Sequence, residues 1–308
     1  MILNTGSRTD IPAFYTPWLV NRLSAGEVMV RSPYNPSLIT RYKIDPRLVD
    51  LIVFCTKNPA PMLNHMDALA PYDTFWHVTI TPYGHEIEPA VPAKVKVAES
   101  FRKLSRLVGS HRIAWRYDPI LITERYSVPF HVNAFSELAR LLKGYTTQVV
   151  ISFIDLYEKT RRNFPEARAV SAHDQLLLTE ALSSIAAQCG MQVHLCCESA
   201  ILARDHVDAD GCLSQAVLEK ALGERLQVPR HKPARDGCQC LLGADIGAYN
   251  TCPHFCRYCY ANYDAALVNA NRKAHDPRSP LLVGWPGAHD TIRDAVQKSW
   301  KSPELSLL

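Results

Sequence analysis

Short apolar runs punctuate the first two hundred residues at near-regular intervals. They fall at 1–5, 28–30, 51–55, 75–80, 112–115, 148–151 and 191–195. Most are followed by a stretch with helical spacing. Asp10 is placed to cap a helix with apolar positions at Phe14, Trp18 and Leu23, ended by Gly26. Residues 95–108 repeat the pattern with Val97, Phe101, Leu104 and Val108 before Gly109, and 60–69, 132–142 and 175–187 read the same way. Runs without polar alternation are strands covered on both faces, so the pattern predicts a parallel sheet with crossover helices. Seven such units fit an α/β fold of the (β/α) TIM-like barrel type, closed or partial, better than an open sheet. Residues 241–249 offer an eighth strand, 31–50 read as a loop, and 291–300 read as an amphipathic final helix.

Polar and reactive residues gather just after the runs: Ser7, Arg8 and Asp10; Lys57 and Asn58; Thr79 and Thr81; Arg116 and Asp118; Ser152 and Asp155; Cys197 and Glu198. In a barrel these positions ring the C-terminal mouth, where chemistry is done. Loops meet water and are polar everywhere, which is the plainer explanation of each cluster alone. Six clusters together favour a site. Arg116, Asp118, Lys57 and Asn58 are the candidates to orient a small polar substrate, anionic if Arg116 grips it bidentately.

Hydrophobic residues are 47% of the 308 and charged residues 21%, enough apolar material for a sizeable core. The formal charge of +4 does not demand a nucleic-acid partner. No signal peptide is visible at residues 1–8 and no apolar run reaches membrane-spanning length, so a cytoplasmic protein without a membrane partner is expected. Ten cysteines in such a chain point to metal or redox chemistry rather than disulfides.

Five of the ten lie in residues 236–263. Cys252, Cys256 and Cys259 are spaced C-x3-C-x2-C, with Tyr258 just before the third. Three thiolates on one loop hold three irons of a cubane and leave the fourth open to a small molecule. A structural zinc site and a simple ferredoxin cluster each want four ligands. A zinc loop using two or three of these cysteines with His254 is the competing reading, although only Cys256 and Cys259 have zinc-finger spacing. Outside the triad, Cys238 and Cys240 form C-x-C, and with Cys197 and Cys212 they make the four thiolates of an auxiliary cluster. Alternation along the strand predicts that Cys197 faces the mouth and Cys196 does not. Cys55 and Cys189 read as core, and His77, His194 and His254 as satisfied structural histidines.

The triad with its aromatic, Cys-x3-Cys-x-Tyr-Cys-Tyr-Ala, resembles the cluster loop of the radical S-adenosylmethionine (SAM) superfamily, especially the branch containing spore photoproduct lyase. The resemblance implies a [4Fe-4S] cluster on Cys252, Cys256 and Cys259, SAM on the open iron, and Tyr258 against the adenine. It also implies an electron donor such as flavodoxin or ferredoxin, and reductive SAM cleavage to a radical that abstracts hydrogen. Superfamily members usually carry this loop after the first strand; here it comes near the end, which implies a circularly permuted barrel. The turn at Gly6, Ser7, Arg8 and Asp10 then stands where the SAM amino group is held, without the superfamily's Gly-Gly-Glu. The wider chain resembles a bacterial family catalogued as domain of unknown function 1848. The stretches that match are Ser7–Pro12, Phe54–Pro59, Trp115–Ile120 and Asp245–Asn262. The division expected is a barrel body at 1–235, a cluster segment at 236–275 and a packing tail at 276–308. An iron–sulfur protein that does not cleave SAM is the second reading. A zinc-stapled nucleic-acid-binding protein using Arg230, Lys232, Arg235 and Arg257 is the third.

Overall fold

Apolar runs that must be covered on both sides need helices on one face and something else on the other, and the fold supplies both. The computed structural model describes residues 1–230 and 238–302. The strands are β1 (Ile2–Asn4), β2 (Glu27–Arg31), β3 (Leu38–Lys43), β4 (Leu51–Thr56), β5 (Thr74–Thr79) and β6 (Ile113–Ile120). They continue as β7 (Gln148–Phe153), β8 (Gln192–Leu195), β9 (Val207–Asp208), β10 (Ala244–Asp245) and β11 (Thr291–Asp294). Eight of them form one sheet in the order β10-β1-β4-β5-β6-β7-β8-β9. Every neighbouring pair in it is parallel.

Alternation divides this sheet's side chains between two cores. Leu3, Ile52, Phe54, Trp76, Val78, Trp115, Ile151 and Val193 pack outward with the helical residues Trp18, Phe101, Phe135 and Leu178. Ile2, Leu51, Val53, Phe75, Ala114 and Val150 point the other way, onto Leu218 and Leu222 of the helix Gln215–Leu222 and onto Leu241. Five adjacent strands span about 19 Å, whereas one helix is about 10 Å across. The helix therefore shares this face with Leu213, Leu226, Cys240 and Leu241 from the segments on either side of it.

The closed form of the expected barrel is not what forms. Among the described residues β9 and β10 do not pair. The segments beside them meet in one backbone hydrogen bond, from Leu241 N to the Leu213 carbonyl at 3.0 Å. The predicted eighth strand lies beside β1, as two residues only. Gly243 leads into it with φ +60°, and a Cβ there would stand 2.2 Å from the Ile2 carbonyl oxygen, so only glycine lets the two backbones approach.

Three further expectations are corrected. The run at 28–30 is not in the main sheet: Gly26, with φ +68°, turns the chain away, and β2 pairs antiparallel with β3. The strand β3 lies in the stretch read as a loop, hidden because only Ile39 of its six residues is fully buried. Residues 291–300 do not form a helix. Residues 291–294 are exposed and have no apolar face to bury, and they satisfy their backbone by pairing parallel with β3 as β11. The tail does pack on the body. Trp18 Nε1 donates to the Ser279 carbonyl at 2.9 Å, and Trp300 N donates to Asp50 Oδ2 at 2.8 Å. The 235/236 division lies outside the described residues. No helix among them is long and apolar enough to cross a membrane.

Candidate functional site

The C-terminal ends of β1, β4, β5, β6, β7 and β8 line one cavity of about 460 Å³, within the range of small-molecule sites. Its floor is the second core. Its walls carry two groups of cysteines.

The first wall is the triad loop, with Cys252, Cys256, Tyr258 and Cys259 all on the cavity. The loop is clamped from several sides. Arg257 N donates to the Ile87 carbonyl at 2.9 Å, Asn262 Nδ2 to the Cys252 carbonyl at 2.7 Å, and Tyr15 OH to the Thr251 carbonyl at 2.5 Å. Phe255 is held at φ +54°, an uncommon conformation for a bulky residue and one that persists only in a tightly determined loop. Burial pushes all three thiols up, Cys256 to about 12, with nearby Lys57 opposing it there. The shift favours the protonated thiols, and a bound cation would oppose it.

The second wall holds five thiols rather than four. Cys196 lies 3.8 Å and Cys240 3.5 Å from Cys212, sulfur to sulfur. Cys197 hydrogen-bonds to both Cys196 and Cys238, which completes a ring. The expectation that Cys196 turns away is therefore wrong. The strand β8 ends at Leu195 and Cys197 adopts φ +59°, so alternation no longer applies where it was invoked. Hydrogen bonds from Cys197 and Cys240 hold Cys238 far below the ordinary thiol value, whereas contact with Cys196 and Cys240 pushes Cys212 up. Cys55 is also corrected. It sits on the cavity rather than in the core, on the same face of β4 as Leu51 and Val53, and that alternation was the signal for it. Cys189 is buried in the outer core, as read.

The strand-end residues are mostly committed to one another. Arg116 donates to Asp118 through Nε at 2.9 Å and Nη2 at 2.5 Å, and to the sulfurs of Cys212 at 3.3 Å and Cys196 at 3.5 Å. Burial opposes its charge, but Asp118, Cys196 and Cys212 outweigh that and raise its pKa. Its Nε and Nη2 both point at Asp118 Oδ2, so that edge of the guanidinium is already occupied. Asp118 also accepts from Ser152. Glu198 accepts from Phe153 N at 2.7 Å, and burial lifts it to about 7. Asn58 and Arg8 are not on the cavity: the Asn58 side chain accepts from Ala60 N, and Arg8 lies toward Asp245 and over Tyr249.

The turn after β1 is fixed rather than open. Asn4 accepts from Gly6 N and donates to Ser7 Oγ, Ser7 N donates to Asp245 at 2.7 Å, and Tyr260 OH donates to the Ser7 carbonyl at 2.6 Å. Asp10 caps the helix Ile11–Phe14 and accepts from Lys57 N at 2.8 Å and His254 Nε2 at 2.9 Å, which ties β1, β4 and the triad loop together. Gly6 is required by proximity, since a Cβ there would lie 2.4 Å from Cys55 Cβ and 2.7 Å from Cys55 N. Gly6→Ala is expected to destabilise the protein by about 1–3 kcal/mol, because β4 must move to admit it. A denaturation midpoint equal to that of the unmodified chain would show that β4 gives way freely.

Glu88 was not foreseen. Its fully buried carboxylate receives Lys57 Nζ at 2.8 Å, Thr81 Oγ1 at 2.6 Å, Lys94 Nζ and Tyr258 OH. Burial opposes its charge, but the two lysines outweigh that and hold it down at about 2. Lys57 rises for the same reason. Lys94 falls, because burial and the Lys57 charge outweigh Glu88. His254 is satisfied, as read, by Asp10 and the Ala90 carbonyl. Arg257 is paired with Glu166 at 2.6 Å and lies over Phe164, so it is no free nucleic-acid contact. Lys232 and Arg235 lie outside the described residues.

Fold and site together define an α/β protein with a cysteine-walled cavity at the C-terminal ends of an eight-stranded parallel sheet. The chain belongs to the family described as Domain of unknown function (DUF1848), whose model matches residues 2–261. No curated protein and no solved structure matches it.

Proposed function

We propose that this protein is an iron–sulfur enzyme of the radical SAM type, acting on a small polar substrate in the cavity. The observation that carries the reading is the convergence of a three-thiol loop and a five-thiol wall on one cavity at the strand ends. In this reading the sheet is a partial barrel, permuted so that β10 brings the triad loop beside the turn after β1. Cys252, Cys256 and Cys259 hold a [4Fe-4S] cluster with one open iron. Cys197, Cys212, Cys238 and Cys240, with Cys196 as a fifth thiol, hold an auxiliary centre. When bound, the first cluster supplies the electron that cleaves SAM and so starts hydrogen abstraction from the substrate.

The chain's own residues do the rest. Glu88 fixes Tyr258 by its hydroxyl and leaves the ring on the cavity, where it is placed to pack on an adenine. The turn at Gly6 and Ser7 supplies a rigid polar edge beside it. Arg116, pinned by Asp118 and Ser152, sets a positive charge against the five-thiol wall, which favours thiolates there. It acts on the metal side of the cavity rather than as a substrate clamp. A reductant such as flavodoxin or ferredoxin is the partner this chemistry requires.

The spacing of the five-thiol wall favours one alternative occupant. Sulfurs of a cubane stand roughly 6 to 7 Å apart, whereas a tetrahedral zinc site with bonds of about 2.3 Å has edges of about 3.8 Å. The two measured separations match the latter. Among the described residues no group of three or more His, Cys, Asp or Glu side chains is already arranged around a single-ion position, for zinc or for any other ion. Anaerobic purification decides between them. The expected result is a brown protein with about eight irons per chain and SAM cleavage under reducing conditions. Colourless protein with stoichiometric zinc and no iron overturns the reading. Iron without SAM cleavage leaves an iron–sulfur protein of another kind.

A further inference from the structure

His77 was expected to be a satisfied core histidine, and it is not. It stands near the end of β5, opposite Cys55 on one side and Ala114 on the other, and its ring lines the cavity while only 2% of the residue is exposed. Burial and Arg116 hold the ring neutral, although the Cys212 backbone lies close enough to favour its protonated form. Its Nε2 is buried and has no partner. A buried nitrogen lone pair left without a donor is costly, and each such group in a folded protein calls for a cause. The groups of the wall's side that act on this ring are Arg116, the Cys196 thiol and the Cys212 backbone, with His194 beyond. A ligating histidine characteristically donates its second ring N–H to a backbone carbonyl or carboxylate, which fixes the tautomer and aims the lone pair at the metal.

We propose that His77 Nε2 is a ligand of the metal centre on the five-thiol wall, making it a mixed cysteine–histidine site rather than an all-cysteine one. The proposal rests on the reading that this wall holds a metal. The coordinate bond uses the Nε2 lone pair of the neutral ring with its proton on Nδ1, and releases no proton. The cysteines' own crowding makes room for the role. Cys196 and Cys212 are both engaged by Arg116, so a thiol can remain outside the metal's shell when the imidazole enters it.

The test uses the full chain carrying Cys252→Ala, Cys256→Ala and Cys259→Ala, so that only the wall's centre remains. It is loaded anaerobically with ferrous iron and sulfide, reduced, and examined by pulsed electron paramagnetic resonance with natural-abundance and ¹⁵N-labelled histidine. The expected result is a strong nitrogen coupling that changes with the label and disappears in His77→Asn. In His77→Cys the centre should persist with a lower reduction potential, since a thiolate brings a negative charge that imidazole lacks. The label comparison needs no change at His77, so a misfolded variant does not blunt it. If the chain takes up zinc instead, X-ray absorption should show one nitrogen at about 2.0–2.1 Å, lost in His77→Asn. A centre with full metal content and only sulfur neighbours overturns the assignment and leaves the iron–sulfur reading intact. No metal on the wall overturns both.

Discussion

The chain carrying Cys252→Ala, Cys256→Ala and Cys259→Ala should lose SAM cleavage below detection while keeping about half of the iron. The two walls are built from separate segments: the triad sits on one loop, and the five-thiol group comes from the ends of β8, β9 and the approach to β10. Removing three thiols that face a cavity leaves small gaps but no unpaired charge, since burial raises the pKa of each and favours the protonated thiol. The fold should therefore survive, and the loss should be specific. The converse change, Cys238→Ala with Cys240→Ala, should remove the other half of the iron. It should also lower the melting temperature, because these residues anchor the segment leading to β10 against Cys197 and Cys212. Iron and sulfide assays, visible absorbance and detection of the cleaved nucleoside read both variants. SAM cleavage surviving in the triad variant would end the assignment of that loop. Loss of all iron in either variant would mean that the two walls share one cluster.

The parts of this architecture that the sequence discloses are those fixed by short-range physics. Strands covered on both faces read as unbroken apolar runs, and β1, β4, β5, β6, β7 and β8 were visible for that reason. The strands β3, β9 and β11 were not. One has a single fully buried residue, one is two residues long, and one is wholly exposed, so none carries the apolar signal that marks a strand. The cysteine triad is legible because its spacing is local. The five-thiol wall was legible as to its region but not its membership, because Cys196 enters through a left-handed turn at Cys197 that no propensity announces. Cys55 was available from alternation in β4 and was misread as core. His77 shared the inward face of β5 with Phe75, but its unpartnered nitrogen appears only when the surroundings are known. Glu88 belongs to no motif. Its meaning depends on Lys57, Lys94 and Tyr258, which stand 31, 6 and 170 residues away along the chain.

Glu88→Gln should be among the most destabilising isosteric changes in the protein, at about 3–5 kcal/mol. The amide preserves the shape of the side chain and keeps acceptors for Thr81 and Tyr258. What it removes is the carboxylate that Lys57 and Lys94 share, leaving two partly buried ammonium groups beside each other. The sign of the pH dependence follows from the same charges. Glu88 is held at about 2 in the folded protein against an ordinary value of 4.5, so its contribution is complete above about 4.5 and is lost as the pH falls toward 2. A displacement of that size corresponds to about 3 kcal/mol. Stability of the unmodified protein measured by denaturant titration should fall across that window, and Glu88→Gln should show a shallower fall from a lower starting point. Adding Lys57→Met to Glu88→Gln should recover part of the loss, because it deletes one of the stranded charges and its hydrogen-bonding demand. A neutral amide oxygen accepts more weakly than a carboxylate, so Glu88→Gln should also weaken the hold on the Tyr258 hydroxyl and on the triad loop, and cluster loading should fall with stability. A Glu88→Gln protein within about 0.5 kcal/mol of the unmodified one, with the same acid profile, would mean that water already screens the two lysines and that Tyr258 is positioned by its packing alone.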